Sequence, residues 1–230
     1  MSTIAENINF IKNRINATAN GKKVTLLAVT KTFSADCAKQ AIDTGISDIA
    51  ESKIQEAIPK FEVLSNSLNG INKHFIGHLQ SNKAKKAVQN FDLIQSLDSI
   101  DLAKDINRHA KDIGKIQKCL IELKVSNEET KFGASKETVN AIYDYCISNC
   151  PNILICGIMT IAPFFEDKEL VRPYFKLAYN VFENIRKTKN DDNFNILSMG
   201  MSDDFEIAIQ EGSNMVRVGT AIFGERNYDK

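Results

Sequence analysis

Proline and glycine are scarce in this chain, four and eleven in 230 residues, and tryptophan is absent. So few turn-forming residues argue against a linker-rich or disordered protein, and 43% hydrophobic content is enough to build a packed core. Excess charge of either sign is also missing, with 29 Lys and Arg against 29 Asp and Glu. Coating nucleic acid or an anionic membrane depends on a surplus of cations, so those roles are excluded and only a local basic patch is left open. The chain contains no apolar run near the roughly 18 residues needed to span a bilayer. Its start, Met1-Ser2-Thr3-Ile4-Ala5-Glu6-Asn7, has neither basic residues nor an apolar stretch, so no secretory leader is expected and the cytoplasm is the expected compartment.

Paired cysteines are lacking too. Cys37, Cys119, Cys146, Cys150 and Cys156 are odd in number and scattered, with no C-x-x-C, which favours reduced, buried thiols over disulfides or a zinc site. There are three histidines. His74 and His78 are four apart, but the intervening Phe75-Ile76-Gly77 reads as a strand entering a turn, whereas a metal pair at that spacing needs a helix.

What the chain does have is alternation. Short β-branched or apolar runs at 25–29, 48–50, 74–76, 93–96, 118–125, 153–159, 195–198 and 215–218 are each followed by a stretch of helical periodicity. Ile4, Ile8, Ile11 and Ile15 put one more amphipathic helix ahead of the first strand. Ile100, Ala103, Ile106, Ala110 and Ile113 repeat the pattern, and the longest stripe runs from Leu170 to Ile185. Strand and helix in strict alternation imply a parallel sheet. An open doubly wound sheet announces itself with a glycine-rich first turn, and Val29-Thr30-Lys31-Thr32-Phe33 has no glycine. Eight β/α units therefore predict a closed (β/α)8 TIM barrel with an extra N-terminal helix, one domain over residues 1–230. The Lys83–Lys86 run reads as a solvated helix face.

Chemistry in such a barrel belongs at the C-terminal ends of the strands. Lys31 ends the first strand, at the mouth. A lysine there that is desolvated or close to another cation is a nucleophilic amine suited to Schiff-base formation; a solvated lysine at a strand end is the plain alternative. After the seventh strand, Met199-Gly200-Met201-Ser202 turns into a helix starting near Asp203, and after the eighth, Val218-Gly219-Thr220 starts a short one. Loops at these two positions, with a helix N-terminus, form the recurrent phosphate site of the fold, so Ser202, Gly219 and Thr220 are candidates for it, although such residues also serve as plain caps and turns. Gly219 and Gly224 have P-loop spacing, but Glu225-Arg226 stands where Lys-Ser/Thr is needed. Asp203 and Asp204 would repel a dianion unless turned away. Arg217 lies between two valines; if these face the helices, the guanidinium points into the barrel, where it needs an acceptor.

Taken together, Ala28-Val29-Thr30-Lys31-Thr32, His74 to Lys83, Lys131-Phe132-Gly133, Gly157 to Pro163, Leu197 to Glu206 and Val216 to Arg226 resemble the pyridoxal phosphate homeostasis protein family, over nearly the whole chain. The resemblance implies a barrel like the N-terminal domain of alanine racemase, with pyridoxal 5′-phosphate as cofactor. It puts Lys31 at the family's aldimine position, Ser202, Gly219 and Thr220 at its phosphate positions, and Arg217 opposite the pyridine nitrogen. One motif departs. Where the family shows Gly-Glu-Asn this chain has Ala50-Glu51-Ser52, which makes Ser52 a doubtful cofactor neighbour.

The function implied is a monomeric, non-catalytic carrier in vitamin B6 and amino-acid or keto-acid balance, with recipient apo-enzymes as possible partners. Eight β/α units and a leading helix use up the chain, leaving nothing for the second domain from which a racemase of this fold draws an acid–base group. A small pyridoxal-phosphate racemase is the runner-up, followed by a class I aldolase-type enzyme using Lys31.

Overall fold

The computed structural model describes residues 2–126 and 132–225; Lys131 and Arg226 of the quoted motifs lie outside them. The strands β1 (Thr25–Val29), β2 (Asp48–Glu51), β3 (Asn72–Phe75), β4 (Leu93–Leu97), β5 (Gln117–Leu123), β6 (Ile153–Thr160), β7 (Ile196–Ser198) and β8 (Met215–Val218) are all parallel. They close in chain order, β8 pairing back onto β1. Around them stand α1 (Ile4–Ala19), α2 (Ala35–Asp43), α3 (Ile54–Val63), α4 (Ala84–Asn90), α5 (Ile100–Asp112), α6 (Lys136–Asn149), α7 (Arg172–Lys189), α8 (Phe205–Gln210) and α9 (Thr220–Phe223). None of the described helices is long and apolar enough to cross a membrane.

Local sequence sets the helix ends. Thr3 and Glu6 form a reciprocal capping box at the start of α1, and Ser34, Ser99 and Ser135 each accept an N–H at the start of α2, α5 and α6. Two expected stripes are shorter than their periodicity. Leu170 is 54% exposed in a short 3-10 turn, because Pro173 lacks an N–H and fits only the first turn, so α7 starts at Arg172. Ile113 is exposed because Gly114, at φ +65°, has already ended α5. Likewise α8 starts at Phe205, two residues after the expected start, and β5 stops at Leu123.

Alternation along the strands separates two cores. Leu26, Ala28, Ile49, Val216 and Val218 point outward and pack under the helices; Leu27, Val29, Ala50, Leu93, Leu120, Met159 and Met215 fill the barrel. Each Leu, Ile, Val or Met among them contributes roughly 1.5–3 kcal/mol when fully buried, and the inward set makes the interior a packed plug and not a channel. The leading helix packs on α8 and α9, where Asn7 Nδ2 donates to the Ile222 carbonyl at 2.8 Å and Arg14 forks onto Glu206. That brace holds the elements that follow β7 and β8, which build part of the mouth.

Candidate functional site

Register decides which residues meet at the mouth. Ala28 pairs with Val218 and Val29 with Ala50, so Gly219, Lys31 and Ser52, each one or two residues past these pairs, follow one another around the rim. Lys31 stands on a clamped turn. The residue before it, Thr30, is fully buried; its N–H reaches the Ala50 carbonyl at 3.0 Å and its hydroxyl donates to Glu51 Oε1 at 2.7 Å. Lys60, from α3, donates to the Thr30 carbonyl at 2.7 Å and also pairs with Glu51. After Lys31, Thr32 takes the left-handed conformation at φ +68°, rare for a β-branched residue. The Phe33 N–H closes the turn on the Thr30 carbonyl at 3.1 Å, and the Phe33 ring packs on Phe223 of α9.

Sequence reasoning missed the Glu51–Lys60 pair. The readable signal was a lysine on the buried stripe of α3, beside Ile54, Ala57 and Phe61. Burial pushes the Glu51 carboxyl above the ordinary carboxylate range, although Lys60 and Thr30 pull the other way.

Arg217 points inward as alternation predicts, only 3% exposed. Its Nη1 donates to Ser198 Oγ at 2.9 Å and its Nη2 to the Thr160 carbonyl at 2.8 Å, and its own N–H holds the Gly200 carbonyl at 3.0 Å. Both side-chain acceptors are neutral. Burial pulls its pKa down to about 10, with Asp204 and Glu122 opposing at longer range, so it stays charged at neutral pH.

The phosphate candidates come together. Ser202 Oγ accepts the Ala221 N–H at 3.3 Å, tying the loop after β7 to the start of α9, where Gly219 is the N-terminal cap and Thr220 the exposed first residue. Gly200, at φ +93°, has no room for a side chain: a Cβ would come 2.6 Å from that of Ala208. Gly219 differs, since a Cβ there would make ordinary contact with Val29 at 3.4 Å. Asp204 accepts the Met201 N–H at 2.6 Å within its own loop, which gives this carboxylate a donor of its own. Ser52 is half-buried, and its carbonyl packs against Gly77, where a Cβ would sit 2.1 Å away; its hydroxyl has no hydrogen-bond partner among the described residues.

Across the mouth from β8, a cavity of about 270 Å³ is lined by Ile76, His78, Glu122, Val125, Phe132 and Ile161. His78 stacks on Phe132 with ring centroids 3.7 Å apart, and its Nδ1 lies 3.5 Å from Asp98. Burial, reinforced by Asp98 and opposed by Arg217, pushes the Glu122 carboxyl up to about 7. Two larger clefts, about 470 and 480 Å³, lie at the opposite end, beside residues that precede the strands, such as Val24, Ser47 and Asn214. The C-terminal end is the better site because the buried cation and Lys31 are there, where a barrel of this kind keeps its chemistry. No group of His, Cys, Asp or Glu among the described residues is arranged to hold a metal ion.

The arrangement has close counterparts. The sequence model for the alanine racemase N-terminal domain matches residues 1–227. A pyridoxal phosphate homeostasis protein of Aquifex aeolicus is 37% identical over 228 residues, 99% of this chain and 97% of its own. The Escherichia coli K12 protein of the same name is 34% identical over the full length of both. Among solved structures, PipY of Synechococcus elongatus with pyridoxal phosphate bound superposes with a TM-score of 0.86 at 32% identity, covering 96% of this chain and all of that one. The Clostridium difficile alanine racemase shares the fold at a TM-score of 0.75 and 18% identity, and this chain spans 61% of it. Matched end to end by such relatives, the chain belongs to the alanine racemase N-terminal domain family and, within it, to the pyridoxal phosphate homeostasis proteins.

Proposed function

We propose that this protein binds pyridoxal 5′-phosphate at the mouth of its barrel and acts, without catalysis, in the intracellular balance of that cofactor and of amino and keto acids. The observation that carries the reading is Arg217: a buried, charged guanidinium at the mouth, bonded among the described residues to neutral acceptors, on the same rim as a lysine held by a clamped turn. A ring nitrogen with a free lone pair fits that donor, and the group fits the residues around it. The cofactor supplies an aldehyde and an electron-withdrawing ring. Lys31 is the amine that holds the aldehyde, Arg217 faces the ring nitrogen, and Ser202, Gly219 and Thr220 take the phosphate. Packing tolerates a methyl at Gly219, so its bare backbone is better explained by close approach of a ligand. Ser52, with the shorter side chain, flanks the cofactor without ligating it.

A non-catalytic role follows from the same arginine. A guanidinium donates and does not give up its proton at neutral pH, so the ring nitrogen stays unprotonated and the ring is a weak electron sink. Relatives named for homeostasis match this chain end to end, whereas it spans 61% of the racemase that shares its fold. Residues 1–230 act as one cofactor-binding unit, a cytoplasmic monomer that passes its cargo to recipient apo-enzymes. The test is the visible absorption of the purified protein with added pyridoxal phosphate. Wild type is expected to show a lysine-bound band that Lys31→Ala abolishes; no band in wild type overturns the proposal. Sustained, cofactor-dependent α-proton exchange of an amino acid in deuterated water would instead establish an enzyme.

A further inference from the structure

No carboxylate is among the hydrogen-bond partners of the Arg217 guanidinium within the described residues, and Asp204 and Glu122 act on it only at longer range; a hydrogen-bonded row through the barrel interior leads from it to a further carboxylate at the far end. Ser198 Oγ, which accepts from Arg217, donates its own proton to Gln95 Oε1 at 2.7 Å. Gln95 Nε2 lies 2.9 Å from His74 Nδ1, and His74 Nε2 lies 3.0 Å from Asp48 Oδ1. Asp48 is also held by groups off this row, accepting from the Ser47 hydroxyl at 2.6 Å and from Asn72 Nδ2 at 3.0 Å. Ser198, Gln95 and His74 are at most 2% exposed, whereas Asp48 opens onto one of the clefts at the other end of the barrel.

With His74 neutral and the Gln95 amide carbonyl turned to Ser198, the donors run in one direction. Arg217 can only donate, so Ser198 must accept from it and donate onward. The Gln95 carbonyl receives that proton, which turns its amide N–H to His74 Nδ1. His74 Nδ1 must then be an acceptor, which puts the ring proton on Nε2, facing the carboxylate. Every lone pair in the chain thus faces Arg217 and every proton faces Asp48. Such an aligned row stabilises both charges at once, and neighbouring bonds polarise one another in a medium of low dielectric.

We infer that His74 and Gln95 are positioning residues for Arg217: through Ser198 they connect its guanidinium to the distant Asp48 and fix the direction in which it meets a ligand at the mouth. The inference rests on the pyridoxal-phosphate reading. A carboxylate in contact with Arg217 would neutralise it and occupy its donors; a neutral hydroxyl held in place by the row orients the guanidinium and leaves its remaining donors to the mouth. The continuity of the row also means that replacing any one member by an apolar residue of similar size leaves the next one unpaired.

Two measurements test this. In the wild-type protein, 15N NMR of His74 is expected to show a protonated Nε2 and a bare Nδ1; a proton on Nδ1 reverses the row and overturns the inference. Pyridoxal-phosphate titrations then compare wild type with His74→Leu, Gln95→Leu, His74→Gln and Leu120→Ala. The two leucine variants are expected to lose affinity by roughly tenfold or more, the scale of one weakened hydrogen bond to a buried charge, and to shift the absorption of the bound cofactor. His74→Gln, which can still accept from Gln95 and donate to Asp48, should stay within about threefold of wild type. Leu120→Ala, an interior change off the row, should lower thermal stability while leaving the cofactor spectrum unchanged. A wild type that takes up no cofactor sinks the functional reading. Leucine variants that match a binding wild type in affinity and spectrum, or a Leu120→Ala spectrum shifted like theirs, sink the inference alone.

Discussion

At the scale of the residue, the site depends on charges removed from water with few partners. Glu122 is the clearest case. Its pKa of about 7 lies above the ordinary 4.5, so the folded protein keeps a proton that the unfolded chain has lost over that range. Stability contributed in this way is present below about pH 4.5, declines as pH rises and is gone above about 7. Glu122→Gln removes the dependence, and the variant is expected to gain on the order of 3 kcal/mol more over wild type at pH 8 than at pH 4.5. Chemical denaturation at the two pH values checks it; an equal effect at both would mean that this carboxyl titrates normally. Arg217 and Glu122 face the mouth from opposite sides with opposite preferences, one kept charged and the other close to half-protonated at neutral pH.

Between elements, the critical joint is the one between α3 and the ends of β1 and β2. Lys60 reaches from the helix to bind both the Thr30 carbonyl and Glu51, and so fixes the turn that presents Lys31. Breaking a buried pair from one side leaves the other charge unpaired, at about 3–5 kcal/mol. Lys60→Met is therefore expected to be strongly destabilised, and adding Glu51→Gln should restore part of the loss, because the remaining partner is then neutral. Thermal melts of the single and double variants decide it: a double variant no better than the single would show that the helix contact matters and the pair does not. This joint was only partly legible beforehand. That Lys60 lies on the apolar stripe of α3 could be read from spacing, but its partner could not, since spacing within one helix does not say which group on another element satisfies a buried ammonium.

Over the whole molecule, closure of the sheet and the packing of helices on it account for the behaviour of the thiols. Cys119, Cys146, Cys150 and Cys156 are buried, and burial pushes their pKa values up, to about 12 for Cys146 and about 11 for Cys156. Cys37 departs from the expectation of burial: it is half-buried in the first turn of α2, where Ser34 caps the helix from the solvent side. The thiolate is the reactive form, so iodoacetamide at neutral pH is expected to label Cys37 alone in the folded protein and all five cysteines in denaturant. Peptide mass mapping would detect labelling at any of the other four, which would mean that the barrel opens readily.

The sequence by itself determined the periodicities: a two-residue alternation that divides each strand between helices and barrel interior, and 3.6-residue stripes that wrap the helices around it. From these came the eight β/α units, Lys31 at a strand end, the inward Arg217 and the glycines of the two loops after β7 and β8. Such features are local, set by what each segment must bury. What only the tertiary structure decided is which polar residues meet. Asp48, His74, Gln95, Ser198 and Arg217 come from five different strands, and nothing in the spacing of one strand fixes its register against the next. Closure of the barrel brought them within hydrogen-bonding distance, in an interior where each polar group had to find a partner or pay its full desolvation cost.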